Sequence, residues 1–280
     1  MPGWSSSSAP PDPAVPPEPG LDTDDAPAGS RPAGPVSRLR RWAGKDVAWL
    51  GAVLLAGAVF WAIGGFDARD RVRIPPPALD IAVVAGTAGG LHTAVFAGGC
   101  FWGVQAVFQH TRGVIEAVAG YAGGSADNAR YERVATGTTG HAEAVSLRFD
   151  PAVISYGQLL QILFSVVHDP TQLNRQGPDF GPQYRSVIFA VDDAQHRVAA
   201  AYLSQLGAAG IWEAPILTEL KPLAAFHPAE PHHQDYALRF PDNAYIVAYD
   251  KPKIAAMKAL FPERFRAEPV RVFPRPVAAS

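Results

Sequence analysis

The stretch HTAVFAGGCFWGVQAVFQ, residues 92–109, contains a strand pattern, a break and a helix pattern in immediate succession. Residues 92–97 are rich in β-forming side chains, and two glycines then end that pattern. From Cys100 onward the apolar residues recur at helical spacing until Gly113 ends the pattern. The stretch therefore predicts a strand, a glycine turn and a helix whose first turn contains Cys100.

Further patterns of the same kind follow toward the C-terminus. VIEAVAGY and HAEAVSLRFD, which begin at Val114 and His141, are typical of strands, and SYGQLLQILFSVV, with Ser155 as its N-cap, is typical of an amphipathic helix. The β-rich run YRSVIFAVD follows a long polar loop. The order over 92–191, β-α-β-β-α-β, predicts an α+β fold, an α/β sandwich with a ferredoxin-like split βαβ core. The remaining predicted elements are a helix over 192–210, a strand over 215–223 and a helix over 250–261.

The segments before this unit differ from it in composition. Residues 1–46 are rich in Pro, Ser, Ala and Gly and end in a basic flank, and such a composition predicts disorder. Residues 47–66 contain no charged side chain over twenty positions, which is about the length that crosses a bilayer core of roughly 30 Å. We therefore expect a transmembrane helix or signal anchor at 47–66, with a buried core helix as the alternative.

Basic residues set the expected orientation of this anchor. Five Arg or Lys residues precede it and three follow it closely, which favours a cytoplasmic N-terminus and an extracytoplasmic globular domain. Cleavage of the apolar segment, which would leave a secreted or periplasmic protein, is the alternative. The rest of the chain divides into a linker over 67–91, a globular domain over 92–265 and a flexible tail over 266–280.

The composition excludes several classes of function. The formal net charge of −2 argues against a nucleic-acid-binding protein, whose surface would carry a basic excess. A single cysteine excludes an intramolecular disulfide and any zinc or iron–sulfur site built from cysteines. The sequence predicts no bound cofactor and no metal.

Cys100 has two interpretations. A lone cysteine usually behaves as a small buried hydrophobe. A helix N-terminus, however, offers unpaired N–H groups and a positive dipole end, and both favour the nucleophilic thiolate. The preceding Gly98 and Gly99 would let a substrate approach the backbone, so we expect a reactive thiol.

Five motifs in order resemble one known family. GGCFWGVQ, GVIEAVAGYAGG, NARYERVATGTTGHAEAVSLRFDP, HDPTQLNRQGPDFGPQYRSVIF and HHQDY are similar to segments of peptide methionine sulfoxide reductases of the A type. The resemblance is collinear from about residue 92 to residue 262. It implies an oxidoreductase of protein repair under oxidative stress that reduces methionine S-sulfoxide, protein-bound or free, to methionine.

The resemblance also implies roles for particular residues. Cys100 matches the nucleophile that attacks the sulfoxide sulfur and becomes a sulfenic acid. Glu143, in GHAEAV, matches the acid that protonates the sulfoxide oxygen. A carboxyl group can do so near neutral pH only if its pKa is raised, and an apolar pocket raises it by desolvation.

Four more positions match substrate-contacting residues of the family. Tyr131 and Tyr184 correspond to hydroxyls that bind the sulfoxide oxygen, and Asp179 corresponds to a further polar residue of the site. Phe101 and Trp102 correspond to the apolar seat of the substrate methyl group. From the residues alone, the tyrosines and both of these aromatics fit core positions equally well.

The chain departs from many family members because it has no second cysteine near the C-terminus. A Cys100 sulfenic acid cannot then be resolved within the chain, so we expect an external thiol to reduce it through a mixed disulfide. A thioredoxin-like protein, a glutaredoxin or a small thiol would serve. The expected partners are oxidised proteins or peptides, this thiol reductant and the membrane.

Two other classes of function remain open. A cysteine hydrolase or acyltransferase would pair Cys100 with one of the histidines at 168, 232 and 233, although no spacing singles out a base. A binding module would carry an inert cysteine. HHQDY has adjacent histidines but no metal-site pattern, and we assign it a supporting role. Glu143→Gln separates the reductase from the hydrolase, and thiol labelling separates both from the binding module.

Overall fold

The computed structural model describes residues 71–81 and 90–273. The strands are β1 His92–Gly98, β2 Val114–Ala122, β3 Ala142–Phe149, β4 Arg175–Gln176, β5 Asp179–Phe180, β6 Ser186–Ala190, β7 Glu219–Pro222 and β8 Phe226–Pro228. The α-helices are α1 Phe101–Gln109, α2 Tyr131–Val134, α3 Tyr156–Ile162, α4 Asp193–Ala209, α5 Tyr236–Arg239 and α6 Lys251–Leu260.

Six strands form one sheet in the order β7-β6-β1-β3-β2-β8. The central pairs β6–β1, β1–β3 and β3–β2 are all antiparallel, whereas β7 joins β6 in parallel. Strands β1 and β2, which α1 connects, are separated in the sheet by β3, and this is the arrangement of a split βαβ unit. The predicted α+β class is therefore confirmed, and β7 and β8 extend the sheet at its two edges.

Both faces of the central strands are buried. Ala94 and Phe96 of β1 face the main core, which the helices close, while Val95 and Ala97 face a smaller apolar cluster on the opposite side. Successive side chains of a strand point to opposite faces, so a strand covered on both sides is apolar throughout. This explains why β1 leads into α1 with no exposed residue between Ala94 and Phe101.

The helix predicted over 155–167 has two parts. Ser155 caps it as predicted, because its hydroxyl accepts from the Gln158 N–H at 3.2 Å and its own N–H donates to the Gln158 side chain at 3.1 Å. The α-helix ends at Ile162, and a π-helical turn continues it to Val167.

Residues 71–81, here called the N-terminal strap, pack against the domain although the sequence suggested a linker. Ile74 is buried in the main core, and its N–H donates to Ser165 Oγ at 3.2 Å. The Tyr202 hydroxyl donates to the carbonyl of Pro75 at 2.7 Å. The folded unit thus includes residues before the expected start at His92.

Residues 266–273, expected as part of a flexible tail, are also held by the domain. The Arg266 N–H donates to the His110 carbonyl at 2.8 Å. The carboxylate of Asp235 accepts from the N–H groups of Val272 and Phe273, each at 3.0 Å. Satisfied backbone groups of this kind fix a segment that lacks regular secondary structure.

The predicted membrane segment at 47–66 lies outside the residues that the structure describes. Within 71–81 and 90–273, no helix has the length and apolar character needed to cross a membrane.

Candidate active site

Cys100 lies between β1 and α1, as the sequence predicted. Gly99 takes a φ of 95°, and a Cβ there would lie 2.6 Å from Cγ of Gln176, so only glycine fits this turn. Cys100 then forms the N-cap of α1, and the residue is 7% exposed. The turn therefore buries the sulfur at the helix N-terminus.

Glu143 of β3 lies directly against this turn. The residue is 2% exposed, and its Oε2 accepts a hydrogen bond at 3.0 Å from the N–H of Phe101, the residue after Cys100. Burial raises the pKa of Glu143 to about 8; the Phe101 N–H opposes this effect, and the nearby Asp179 adds to it. The carboxyl group is therefore mainly protonated at neutral pH, which is the state that a proton donor needs.

The pKa of Cys100 differs from the sequence expectation. Burial raises it well above the ordinary thiol value, and Glu143, Asp250 and Asp179 raise it further. The backbone N–H of Trp102, at the helix N-terminus, lowers it but does not compensate. The expectation of a favoured thiolate in the resting chain is therefore wrong, because the loss of solvation exceeds the helix effect.

Tyr131 and Tyr184 lie around the same buried groups. Burial, followed by the Glu143 carboxyl group, raises the pKa of Tyr131 to about 12 and that of Tyr184 above its ordinary value. Cys100 and Asp179 act on both phenols in the same direction. Both hydroxyls therefore remain protonated near neutral pH and can donate a hydrogen bond.

Asp179 of β5 connects this group to a residue that sequence reasoning missed. Its Oδ2 accepts a short hydrogen bond from the Tyr245 hydroxyl. Burial raises the pKa of Asp179, while the Tyr245 bond and the Lys253 ammonium lower it. Tyr245 lies in NAYIVAYD, a segment without a motif in the sequence analysis, so only its place in the fold identifies it.

The two aromatics after the cysteine have different environments. Phe101 is 1% exposed, and its ring packs 5.9 Å from that of Tyr121 in the core. Trp102 is partly exposed and stacks on Tyr236 at 3.8 Å between ring centroids, with Tyr245 edge-on at 5.9 Å. Of the two predicted substrate contacts, Trp102 has the accessible surface, and it forms an aromatic wall with Tyr236 and Tyr245.

The histidines do not form a Cys-His pair. His168 is buried, with Nε2 2.7 Å from Ser186 Oγ and Nδ1 3.2 Å from the Leu163 carbonyl oxygen. His233 packs against the rings of Phe101 and Trp102, and neither of its ring nitrogens has a hydrogen-bond partner among the described residues. In the described part of the chain, no hydrogen bond joins a histidine to the Cys100 sulfur, and no group of three or more His, Cys, Asp and Glu side chains could hold a metal ion.

Comparison with known proteins identifies one family. The family model described as peptide methionine sulfoxide reductase matches residues 92–264. Peptide methionine sulfoxide reductase MsrA 2 from Mesorhizobium japonicum is 55% identical over 185 residues, covering 66% of this chain and 95% of that protein. The protein of the same name from Synechocystis is 47% identical over 208 residues, covering 74% and 97% respectively.

A solved structure agrees with this result. The crystal structure of Mxr1 from Saccharomyces cerevisiae in reduced form has a TM-score of 0.51 and 30% sequence identity, and it covers 58% of this chain and 94% of that one. The family match extends over the sheet, over α1 with its cysteine and over the segments that supply the buried carboxyl groups. The chain belongs to the peptide methionine sulfoxide reductase family.

Proposed function

We propose that this chain reduces methionine S-sulfoxide to methionine, with Cys100 as the nucleophile, Glu143 as the acid and an external thiol as the final reductant. One observation carries the proposal: a carboxyl group that is protonated near neutral pH bonds to the peptide N–H directly after the only cysteine. Nucleophile and proton donor are thus fixed relative to each other by one peptide unit.

The reaction begins when the Cys100 sulfur attacks the sulfoxide sulfur. Glu143 donates a proton to the sulfoxide oxygen, which is a poor leaving group without it, and recovers a proton from the thiol. The oxygen ends on Cys100 as a sulfenic acid. The substrate gains two electrons and leaves as the thioether methionine, while the cysteine sulfur loses two.

The surrounding hydroxyls and rings orient the substrate. The protonated phenols of Tyr131 and Tyr184 donate to the sulfoxide oxygen, and Asp179, fixed by Tyr245, is a further polar contact. Trp102 offers an apolar surface to the methyl group, and the buried Phe101 supports it from the core. This arrangement discriminates between the two sulfoxide epimers, because only one epimer can place its oxygen at the tyrosine hydroxyls and its methyl group against Trp102 at the same time.

An external thiol completes the cycle, since the chain has one cysteine. A first thiol attacks the sulfenic acid to give a mixed disulfide and water, and a second thiol releases Cys100 and forms the external disulfide. A thioredoxin-like protein, a glutaredoxin or a small thiol fits this role. Mass spectrometry after one turnover should show a sulfenic acid or a mixed disulfide; an enzyme that returns to the thiol without any added thiol would contradict this step.

The membrane anchor remains part of the proposal. The twenty uncharged residues at 47–66 support a single span with the catalytic domain outside the cytoplasm, or a cleaved export signal. Carbonate extraction of membranes and protease protection of intact cells would test it. Recovery of the uncleaved chain in the soluble cytoplasmic fraction would refute both versions.

The activity itself is tested with the two epimers of a methionine sulfoxide peptide and dithiothreitol. We expect consumption of the S epimer and none by Cys100→Ser, whose melting temperature serves as the folding control. Turnover of the R epimer alone, or unchanged turnover by folded Cys100→Ser, would overturn the assignment.

A further inference from the structure

The hairpin formed by β4 and β5 lies against the turn that carries the thiol. Gln176 and Asp179 face each other across the two strands, and directly opposed residues of an antiparallel pair share one face. The Gln176 side chain lies on Gly99, where a Cβ would be 2.6 Å from its Cγ. The other pair is on the outer face, because Phe180 is 60% exposed and the Arg175 guanidinium covers its ring at 5.6 Å. Asp179 is therefore on the face that is turned toward the thiol.

Few contacts hold this hairpin in place. β4 and β5 have two residues each and form a sheet of their own. Gln176 anchors β4, because its Oε1 accepts from the Asp169 N–H and its Nε2 donates to the Asp169 carbonyl, each at 3.0 Å. On β5, the one side-chain hydrogen bond that Asp179 makes within the described part of the chain is the bond it accepts from Tyr245. The orientation of the Asp179 carboxylate thus depends on Tyr245.

Tyr245 reaches the hairpin from a segment near the C-terminus. It directly precedes the π-helical turn Ile246–Asp250, and its N–H donates to Asn243 Oδ1 at 2.9 Å. Its half-buried ring lies edge-on to Trp102, with 5.9 Å between the centroids, while its hydroxyl donates to Asp179 Oδ2. Tyr245 therefore spans the distance from α1, which carries Trp102, to β5, which carries Asp179.

The two side chains that Tyr245 contacts belong to different sides of the proposed substrate site. Trp102 offers the apolar surface for the methyl group, and Asp179 is the additional polar contact. Burial raises the pKa of Tyr245, and Cys100 and Asp179 raise it further, so the hydroxyl stays protonated and remains a donor. One side chain thus contacts the polar and the apolar side of the site at the same time.

We propose that Tyr245 is a positioning residue that holds the Asp179 carboxylate and the Trp102 ring at a fixed separation, and so ties the hairpin to α1 across the substrate site. Tyr245 acts through these two groups and does not itself contact the sulfoxide. A site that is ordered before the substrate arrives binds it more tightly, because less conformational entropy is lost on binding. The inference rests on the proposed substrate site, and one of its tests uses no substrate, so each can fail without the other.

Hydrogen–deuterium exchange of the full-length chain tests the tie without substrate. Tyr245→Phe removes the hydroxyl and keeps the ring beside Trp102. Loss of a hydrogen bond to a charged group corresponds to about 10-fold in a local opening equilibrium, so we expect the amides of residues 175–180 to exchange about 10-fold faster. The matched control is Tyr249→Phe, because Tyr249 packs on the Tyr245 ring at 5.0 Å between centroids and makes no hydrogen bond to Asp179. Unchanged exchange in folded Tyr245→Phe would overturn the proposal.

Binding of an S-sulfoxide peptide to the Cys100→Ser chain, measured by calorimetry, tests the consequence for the site without turnover. Adding Tyr245→Phe should raise Kd about 10-fold, and adding Tyr249→Phe should leave it unchanged. In the chain with Cys100, Tyr245→Phe should raise KM and keep kcat within about twofold, because the bond between Glu143 and the Phe101 N–H is untouched. A variant that had only lost folded protein would instead lower kcat and keep KM, and that result would overturn the proposal.

A double-mutant cycle separates a role through Asp179 from a general structural role. Asp179→Ala removes the acceptor, so adding Tyr245→Phe to it should change Kd by less than about twofold. A further loss as large as in the chain with Asp179 would overturn the proposal. Thermal melts followed by circular dichroism establish folding. If Tyr245→Phe is unfolded, Asp179→Ala replaces it in the exchange measurement, where wild-type exchange of 175–180 would be the contrary result. If the wild type neither binds nor reduces the sulfoxide, the proposed function fails and the exchange measurement alone decides on Tyr245.

Discussion

Replacing Glu143 by Gln tests the central chemical claim with little change of shape. The Gln side chain has the same length, and its amide oxygen can still accept the 3.0 Å hydrogen bond from the Phe101 N–H. It cannot transfer a proton. General acid catalysis contributes about 10² to 10⁴ in rate, so we expect kcat/KM for the S-sulfoxide to fall by about that factor.

The pH dependence gives the same prediction a second, independent measure. A donor whose pKa is about 8 loses its proton as the pH rises through 8. Wild-type kcat/KM should therefore decline tenfold per pH unit above about pH 8, toward the residual rate that remains without a proton donor. Glu143→Gln should lack this decline, because the variant has no proton to lose.

The assay measures methionine formed from the S-sulfoxide peptide between pH 6 and 10, with saturating dithiothreitol. Glu116→Gln is a suitable control, because Glu116 lies on the exposed side of β2 and pairs with Arg148 on the surface. If folded Glu143→Gln keeps both the wild-type rate and the decline near pH 8, Glu143 is not the acid.

Three further predictions concern stability. The pKa of Glu143 is about 8 in the folded chain against 4.5 ordinarily, so its stabilising contribution is complete below pH 4.5 and is lost as the pH rises through 8. The unfolding free energy of Glu143→Gln minus that of the wild type should therefore rise by about 4 kcal/mol from pH 4.5 to pH 8, as measured by urea titration at each pH. Gly99→Ala should cost about 2 kcal/mol or more, because φ is 95° and Cβ would meet Gln176; an equally stable variant would contradict this turn. Ile74→Ala in the strap should cost about 2 to 4 kcal/mol, whereas an unaffected melting temperature would mean that the strap is not part of the folded unit.

The local patterns of the sequence are sufficient to predict the secondary-structure elements around the thiol. The glycines before Cys100 predicted the turn, and Ser155 predicted a helix start that the structure confirms. These predictions succeeded because caps and glycine turns depend on side chains within a few positions of each other. Contacts between distant segments have no such local signal.

The strap and the C-terminal residues show this limit. Pro-rich residues 74–78 have the composition of a linker, yet the Ile74 side chain fills a place in the core that no local pattern indicates. Residues 266–273 have no periodicity, and the Asp235 carboxylate, which binds the N–H groups of Val272 and Phe273, lies 37 and 38 positions before them in the chain. Tyr245 was missed for the same reason, because its hydrogen bond to Asp179 joins segments far apart in sequence.

The protonation state of the Cys100 thiol also depends on contacts between segments that are distant in the sequence. A helix N-terminus by itself lowers a thiol pKa, and α1 supplies that N-terminus at Cys100. Burial raises the pKa of the thiol most, and carboxyl groups from distant segments, Glu143 of β3, Asp179 of β5 and Asp250 before α6, raise it in the same direction. Their sum, together with burial, reverses the local effect. The burial that keeps the resting sulfur protonated also keeps Glu143 protonated, so the low reactivity of the free thiol and the capacity to protonate the substrate arise from one arrangement.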